Sequence, residues 1–225
     1  MRILHTSDWH IGRKIHNHDV HDFQRAALDH LVDTAIEQQV AVVLVSGDVF
    51  DGPVPSVESL RLLNHTLTRL HEAGIRSVLT AGNHDQAERL AVNANLLLDT
   101  VHIVGTSKVC NEPIELHDEH GPVLIYPITF LWPDHERHTL SQGDEPLGRS
   151  HLDVTQAAVD LIRADLALRE AAHGSPLRTV VMSHAFVTRS GEAPDPLEVA
   201  EVSCDSERDI SIGGVQTVPA HVFDG

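Results

Sequence analysis

Residues 40–52 read VAVVLVSGDVFDG. The run from Val40 to Val45 is short, apolar and rich in valine, and it stops at Ser-Gly-Asp, which is the pattern of a strand buried on both faces. The same pattern recurs at RILHTSD (2–8), IRSVLTAGN (75–83), VHIVG (101–105), VLIYPI (123–128) and RTVVMSH (178–184). Helical periodicity fills the gaps. Phe23, Ala27, Leu31, Ala35 and Ile36 share one face over 22–38, and Leu60, Leu63, Leu67 and Leu70 share one over 56–72. Ser56 is placed to cap the second of these helices and Gly74 to end it. Strand, helix, strand, helix predicts a layered α/β fold.

Beyond residue 110 the rhythm changes. PIELH and PVLIYPI flank DEHG as an antiparallel hairpin would, expected here as an addition to the sheet. LWPDHERHTLSQGDEPLGRSH (131–151) reads as a long surface loop, and a helix is expected over 153–172, ending near Gly-Ser-Pro. Residues 185–220 read as a second irregular region, of a length that in compact proteins tends to be functional or mobile. No internal repeat, low-complexity tract or interdomain linker appears, so 1–225 reads as one domain.

The chain has 16 Lys and Arg against 33 Asp and Glu, a formal charge of -17, which argues against a broad basic face gripping nucleic acid. A site where metal ions supply the positive charge remains compatible with it. No apolar run approaches the roughly 20 residues that span a bilayer, so no membrane association and a cytoplasmic location are expected. Cys110 and Cys204 match neither a zinc spacing nor a redox pair, which fits a reducing compartment.

The residues just past each strand are more specific. The first strand delivers Asp8 and His10, the second Asp48, the third Asn83 and His84, and the last His184. One aspartate at a strand end is ordinarily a turn former, and one histidine is ordinarily a satisfied core or surface residue. Four successive strand ends carrying oxygen and imidazole donors are not explained that way, because ligands of open α/β sheets bind at the carboxyl ends of the strands. Gly47 and Gly82 precede Asp48 and Asn83, as expected where backbone turns sharply or approaches closely. Two divalent ions about 3.5 to 4 Å apart can offset phosphodiester charge and lower the pKa of a bound water. A central carboxylate can bridge them, while imidazoles suit manganese, iron or zinc.

SDWHIG, SGDVFDG and AGNHD resemble the successive signatures of the calcineurin-like metallophosphoesterases. HTSDWHIGRK, GDVFDGPVPS and RDISIGGVQTVPA (208–220) resemble the SbcD-type DNA nuclease branch of that family. The resemblance implies the layered metallophosphoesterase fold, a central mixed sheet or two packed sheets flanked by helices. It implies Asp8 and His10 on a first metal, Asp48 bridging, and Asn83 and His184 on a second, most simply two manganese ions. His84 would stand outside the metal shell as the catalytic residue, stabilising the transferring phosphate or protonating the departing oxygen. Asp85 would orient His84. The implied activity is exonuclease on duplex ends and endonuclease on single strands or hairpins, with water or hydroxide as nucleophile. The implied partners are DNA and an SbcC-type ATPase, in a heterotetramer containing a homodimer, in the bacterial cytoplasm at the nucleoid.

The family also supplies two histidines from a G-H-x-H segment. After His184 this sequence offers only His221, without a histidine two residues on. The expectation is a domain incomplete at its C-terminal end, with weakened metal binding and little manganese-dependent nuclease activity until extended. Three lesser features stay open or bland. His16, His18 and His21 impose no convergent geometry and read as a solvated loop. Arg13 and Lys14 serve either a phosphate backbone or the surface, and Asp51 either a loop hydrogen bond or the shape of the site. The competing functions are a phosphoesterase for small substrates and a non-catalytic scaffold.

Overall fold

The computed structural model describes residues 1–16, 18–188 and 218–223. In chain order its strands are β1 (Ile3–Thr6), β2 (Lys14–Ile15), β3 (His18–Asp19), β4 (Val42–Ser46), β5 (Arg76–Thr80), β6 (Val101–Val104), β7 (Ile114–Asp118), β8 (Gly121–Ile128), β9 (Arg178–Ser183), β10 (Val187–Thr188) and β11 (Val218–Pro219). The α-helices are α1 (His21–Glu37), α2 (Val57–Glu72), α3 (Ala87–Leu90), α4 (Pro133–Thr139) and α5 (His151–His173).

Among the described residues two main sheets stack face to face. The first is parallel, in the order β1-β4-β5-β6, because α1 and α2 carry the chain back between successive strands. The second, β7-β8-β9, pairs β7 with β8 antiparallel and β8 with β9 parallel. Alternation along a strand explains the stacking. Val43 and Val45 pack on Leu28, Val32, Leu62 and Leu67 of the helices. Val42 and Leu44 turn the other way, with Val78, onto Leu116, Ile125 and Met182 of the second sheet. The outer face of that sheet sends Leu124, Tyr126 and Ile128 against Val154, Ala158 and Ile162 of α5. The layers therefore run helices, sheet, sheet, helix. Of the two architectures expected, two packed sheets is the one observed.

Three expectations need correction. The hairpin forms as expected, but in the second sheet rather than on the edge of the first. The stretch 131–151 contains α4 as well as loop. α1 buries Leu28, Val32 and Ala35, while Phe23 is 78% and Ile36 46% exposed, and on α2 Leu60 is half exposed. Residues 185–220 are described only at 185–188 and 218–220, where β10 pairs with β11; RDISIGG and Cys204 lie outside the described residues.

α5 starts at a capping box, Ser150-x-x-Asp153. The Ser150 hydroxyl accepts the Asp153 N–H at 2.9 Å and the Asp153 carboxylate accepts the Ser150 N–H at 3.2 Å. Ser150→Ala is expected to cost about 1 kcal/mol of stability, read as a lower urea midpoint with unchanged slope.

Candidate metal centre

The C-terminal ends of β1, β4, β5 and β9 meet at one rim. Beyond β1 and β4 the ladder continues into the loops: the N–H groups of Asp8, His10 and Ile11 donate to the carbonyls of Gly47, Asp48 and Val49 at 3.1, 2.9 and 3.0 Å. The backbone there is left-handed, with φ of +55° at Asp8, +42° at His10 and +49° at Asp48. L residues rarely adopt that region, and conformations of this kind cluster at functional sites. Gly47, at φ +80°, lies so close to His184 that a Cβ would sit 2.5 Å from its Cγ and Nδ1.

Asp48 is buried at the centre. Its Oδ1 accepts the His84 N–H at 2.9 Å, and its Oδ2 lies 3.6 Å from Nε2 of both His10 and His184. Asp8 Oδ1 is 3.7 Å from the same His10 nitrogen. Nδ1–H of His184 donates to the Ser46 carbonyl at 2.8 Å, so in the neutral ring Nε2 is a lone pair. That lone pair faces Asn83 Oδ1 at 3.0 Å. With the amide in this orientation two acceptors meet beside a carboxylate, a repulsion relieved by a cation among them, a second proton on the ring or a turned amide. The spacing fits a cation, since atoms bound about 2.0 to 2.2 Å from one ion lie about 3 to 3.7 Å apart.

Two triads result, His10 with Asp48 and His84, and Asp8 with Asp48 and His184, each with its ligand atoms within 4.8 Å of one another. Asp48 belongs to both. The donor set is one that holds divalent metal. The resemblance joins Asp8 to His10, which the 3.7 Å approach of their ligand atoms allows, and keeps His84 apart, whereas here the His84 and His10 rings meet edge to face, centroids 4.7 Å apart. The His10 ring holds the Asp8 carboxyl down to about 2, with Ser7 and the charge of His184 adding to the effect against partial burial. In return Asp8 pushes the His10 pKa up.

Asp85 does not take the part expected of it, and Asp51, left open between a loop hydrogen bond and the shape of the site, takes that part instead. The Asp85 carboxylate does not orient His84: it is buried and accepts the N–H groups of Val49, Gly82 and Phe50 at 3.0, 2.9 and 2.9 Å, joining the loops after β4 and β5. Burial pushes its pKa up despite those bonds. The imidazoles are backed by Asp51 instead. Its carbonyl accepts Nδ1–H of His84 at 3.2 Å and its carboxylate lies 3.2 Å from Nδ1 of His10, with Arg13 Nε at 4.0 Å. Asp85→Asn keeps one acceptor oxygen and is expected to cost about 1 to 2 kcal/mol in chemical denaturation, one buried N–H losing its partner.

Asp8, His10, Asp48, Asn83, His84 and His184 are thus brought together, while among the described residues no such group includes His16, His18 or His21. The Ser46 carbonyl that fixes the His184 ring could not be found from sequence, because a backbone acceptor has no residue identity to read.

Layered sheets with these donors at one rim define a metal-dependent phosphoesterase, and the chain matches the calcineurin-like phosphoesterase family over residues 1–214, to which it belongs. Family members use divalent metals, and the triads are where this chain would hold them. Its relatives narrow the comparison. It is 34% identical over 238 residues to the SbcD component of the SbcCD nuclease of Rhodobacter capsulatus, covering 99% of this chain and 55% of that protein. The Escherichia coli protein of the same name is 34% identical, covering 99% of this chain and 53% of its own length. That of Bacillus subtilis is 29% identical over 225 residues, covering 98% and 53%. The chain therefore spans about half the length of the curated relatives it matches. Among the described residues no helix is long and apolar enough to cross a membrane.

Proposed function

We propose that this chain carries the hydrolytic site of a bacterial DNA nuclease, active on duplex ends and on single strands or hairpins. The observation that carries the reading is the pair of triads sharing the buried Asp48. The name of the relatives supports a nuclease subunit that works in a complex; an SbcC-type ATPase as partner, a homodimer and a cytoplasmic location are part of the proposal.

Two divalent ions, manganese in this proposal, would supply positive charge against the phosphate and a water acidified toward neutral pH. Asp48 would serve both, with Asp8, His10, Asn83 and His184 around it. His84 is anchored through Nδ1 to the Asp51 carbonyl, which leaves Nε2 to pass a proton to the departing oxygen. The net charge of -17 gives the surface little general affinity for a polyanion, so binding by this chain alone is expected to be weak and salt-sensitive.

The test compares, in a version that carries the two G-H-x-H histidines, manganese-dependent turnover of a linear duplex with that of an aryl phosphate. A clear preference for the duplex is expected. Preference for the small ester would replace this reading with a phosphoesterase of small substrates.

A further inference from the structure

One feature of the rim is unused by the hydrolytic site. β8 and β9 run parallel in a register that sets Ile128 beside Ser183, so the chain after Ile128 continues alongside His184. The next residues, Thr129 to Trp132, lead straight to the edge of the metal centre. The Phe130 N–H donates to the Ala81 carbonyl at 2.8 Å, tying this segment to the loop that carries Asn83 and His84. Phe130 is buried, its ring 6.0 Å from that of His184 and 5.5 Å from that of His151. Trp132 meets Phe130 edge to face at 4.9 Å and is itself 52% exposed.

The backbone under Trp132 is fixed. Its carbonyl accepts the N–H groups of His135 and Glu136 at 3.0 and 2.8 Å, and Pro133 follows as the first residue of α4. A half-exposed indole on a fixed backbone, one ring outward from His184, is a preorganised contact surface: little conformational entropy is lost when something lies on it. A single exposed apolar side chain alone means nothing. Here its place at the site and the charge of the chain act together. With 33 acidic against 16 basic side chains, contact with phosphates is a poor source of affinity, whereas a base presents an uncharged π face.

Resting on the nuclease reading above, we infer that Trp132 is a stacking platform for an unpaired nucleobase beside the phosphate under attack, and so a residue that selects single-stranded or frayed DNA. The ring acts on binding and takes no part in bond breaking.

The test uses a version of the chain that carries the two G-H-x-H histidines and two ten-unit strands of equal charge, oligothymidylate and the same deoxyribose-phosphate chain without bases, in competition binding with divalent cation at low salt. The wild-type chain is expected to hold the thymidylate about tenfold more tightly than the base-free strand, in line with the worth of one base–aromatic stack. Trp132→Ala should remove that difference and leave the base-free strand bound as before, while Trp132→Tyr should keep most of it. Quenching of tryptophan fluorescence by thymidylate should vanish in Trp132→Ala, which retains only the Trp9 indole. Equal loss on both strands, or no loss on either while DNA is still cleaved, overturns the platform and leaves the nuclease reading standing. Absence of DNA cleavage together with turnover of an aryl phosphate overturns both.

Discussion

Asp48→Asn is expected to abolish metal binding at both triads at once, because the carboxylate they share is the only residue common to them. In a version that carries the two G-H-x-H histidines, manganese retained per chain after gel filtration should fall from two to none, and phosphodiester hydrolysis by at least about 100-fold, the upper end of the loss typical of partners one step removed from a metal. Asp8→Asn should empty one triad only. His84→Gln decides whether that ring is a metal ligand of its triad or, as proposed, a proton donor outside the metal shell: with Asp8, His10, Asp48, Asn83 and His184 intact, metal should persist while turnover falls by about 10² to 10⁴, the usual contribution of a general acid, and loss of one equivalent of metal would make His84 a ligand. Stability gives an independent reading. A buried carboxylate facing imidazole lone pairs is costly until a cation joins it, so Asp48→Asn should be no less stable than wild type in chelator. In manganese at a hundred times its Kd the wild type should gain about 2.7 kcal/mol for each of its two sites and the variant nothing. One equivalent of metal retained by Asp48→Asn would show that the triads do not depend on a shared ligand.

The strands and their chemistry were legible for a common reason. A doubly buried parallel strand must be apolar throughout, and its ligands must come immediately after it, so both leave local marks in sequence. What failed was not local. Anchoring the α1 stripe at Phe23 gave a plausible periodicity, but the sheet selects Leu28, Val32 and Ala35, and Phe23 stays outside. α4 reads PDHERHT, with no apolar period to betray it; its signals are Pro133, Asp134 and Glu136 in the first turn and Arg137 and His138 in the last. The hairpin was visible as a pair, yet nothing in it says which sheet it joins. Asp85 shows the limit most clearly. Its neighbour in sequence is His84, so a side-chain pair was the natural reading, whereas its real partners are three backbone N–H groups, which any residue could have offered.

The same backbone contacts make Gly82→Ala the most damaging small substitution to expect. Gly82 is held by its N–H on Asp85 Oδ2 at 2.9 Å, and a Cβ at this position would fall onto the carboxylate and backbone nitrogen of Asp48. Neither obstacle can give way cheaply. The Asp48 carboxylate is buried and pinned by the His84 N–H, and its backbone carbonyl is tied to His10. The methyl group must push the loop after β5 away from the end of β4, which separates Asn83 and His84 from Asp48. Overpacking of this kind costs about 1 to 3 kcal/mol and occasionally more, and with two rigid neighbours a loss of about 3 kcal/mol is expected in urea denaturation. Metal content should fall with it, although no ligand has been changed. Gly52→Ala is the control, since nothing lies within 4 Å of its Cβ and its φ is not left-handed. It should be neutral, or gain about 0.4 to 1 kcal/mol from the stiffened unfolded chain. A Gly82→Ala chain that keeps its metal and its stability would mean that the close approach of the two loops is not what builds the site.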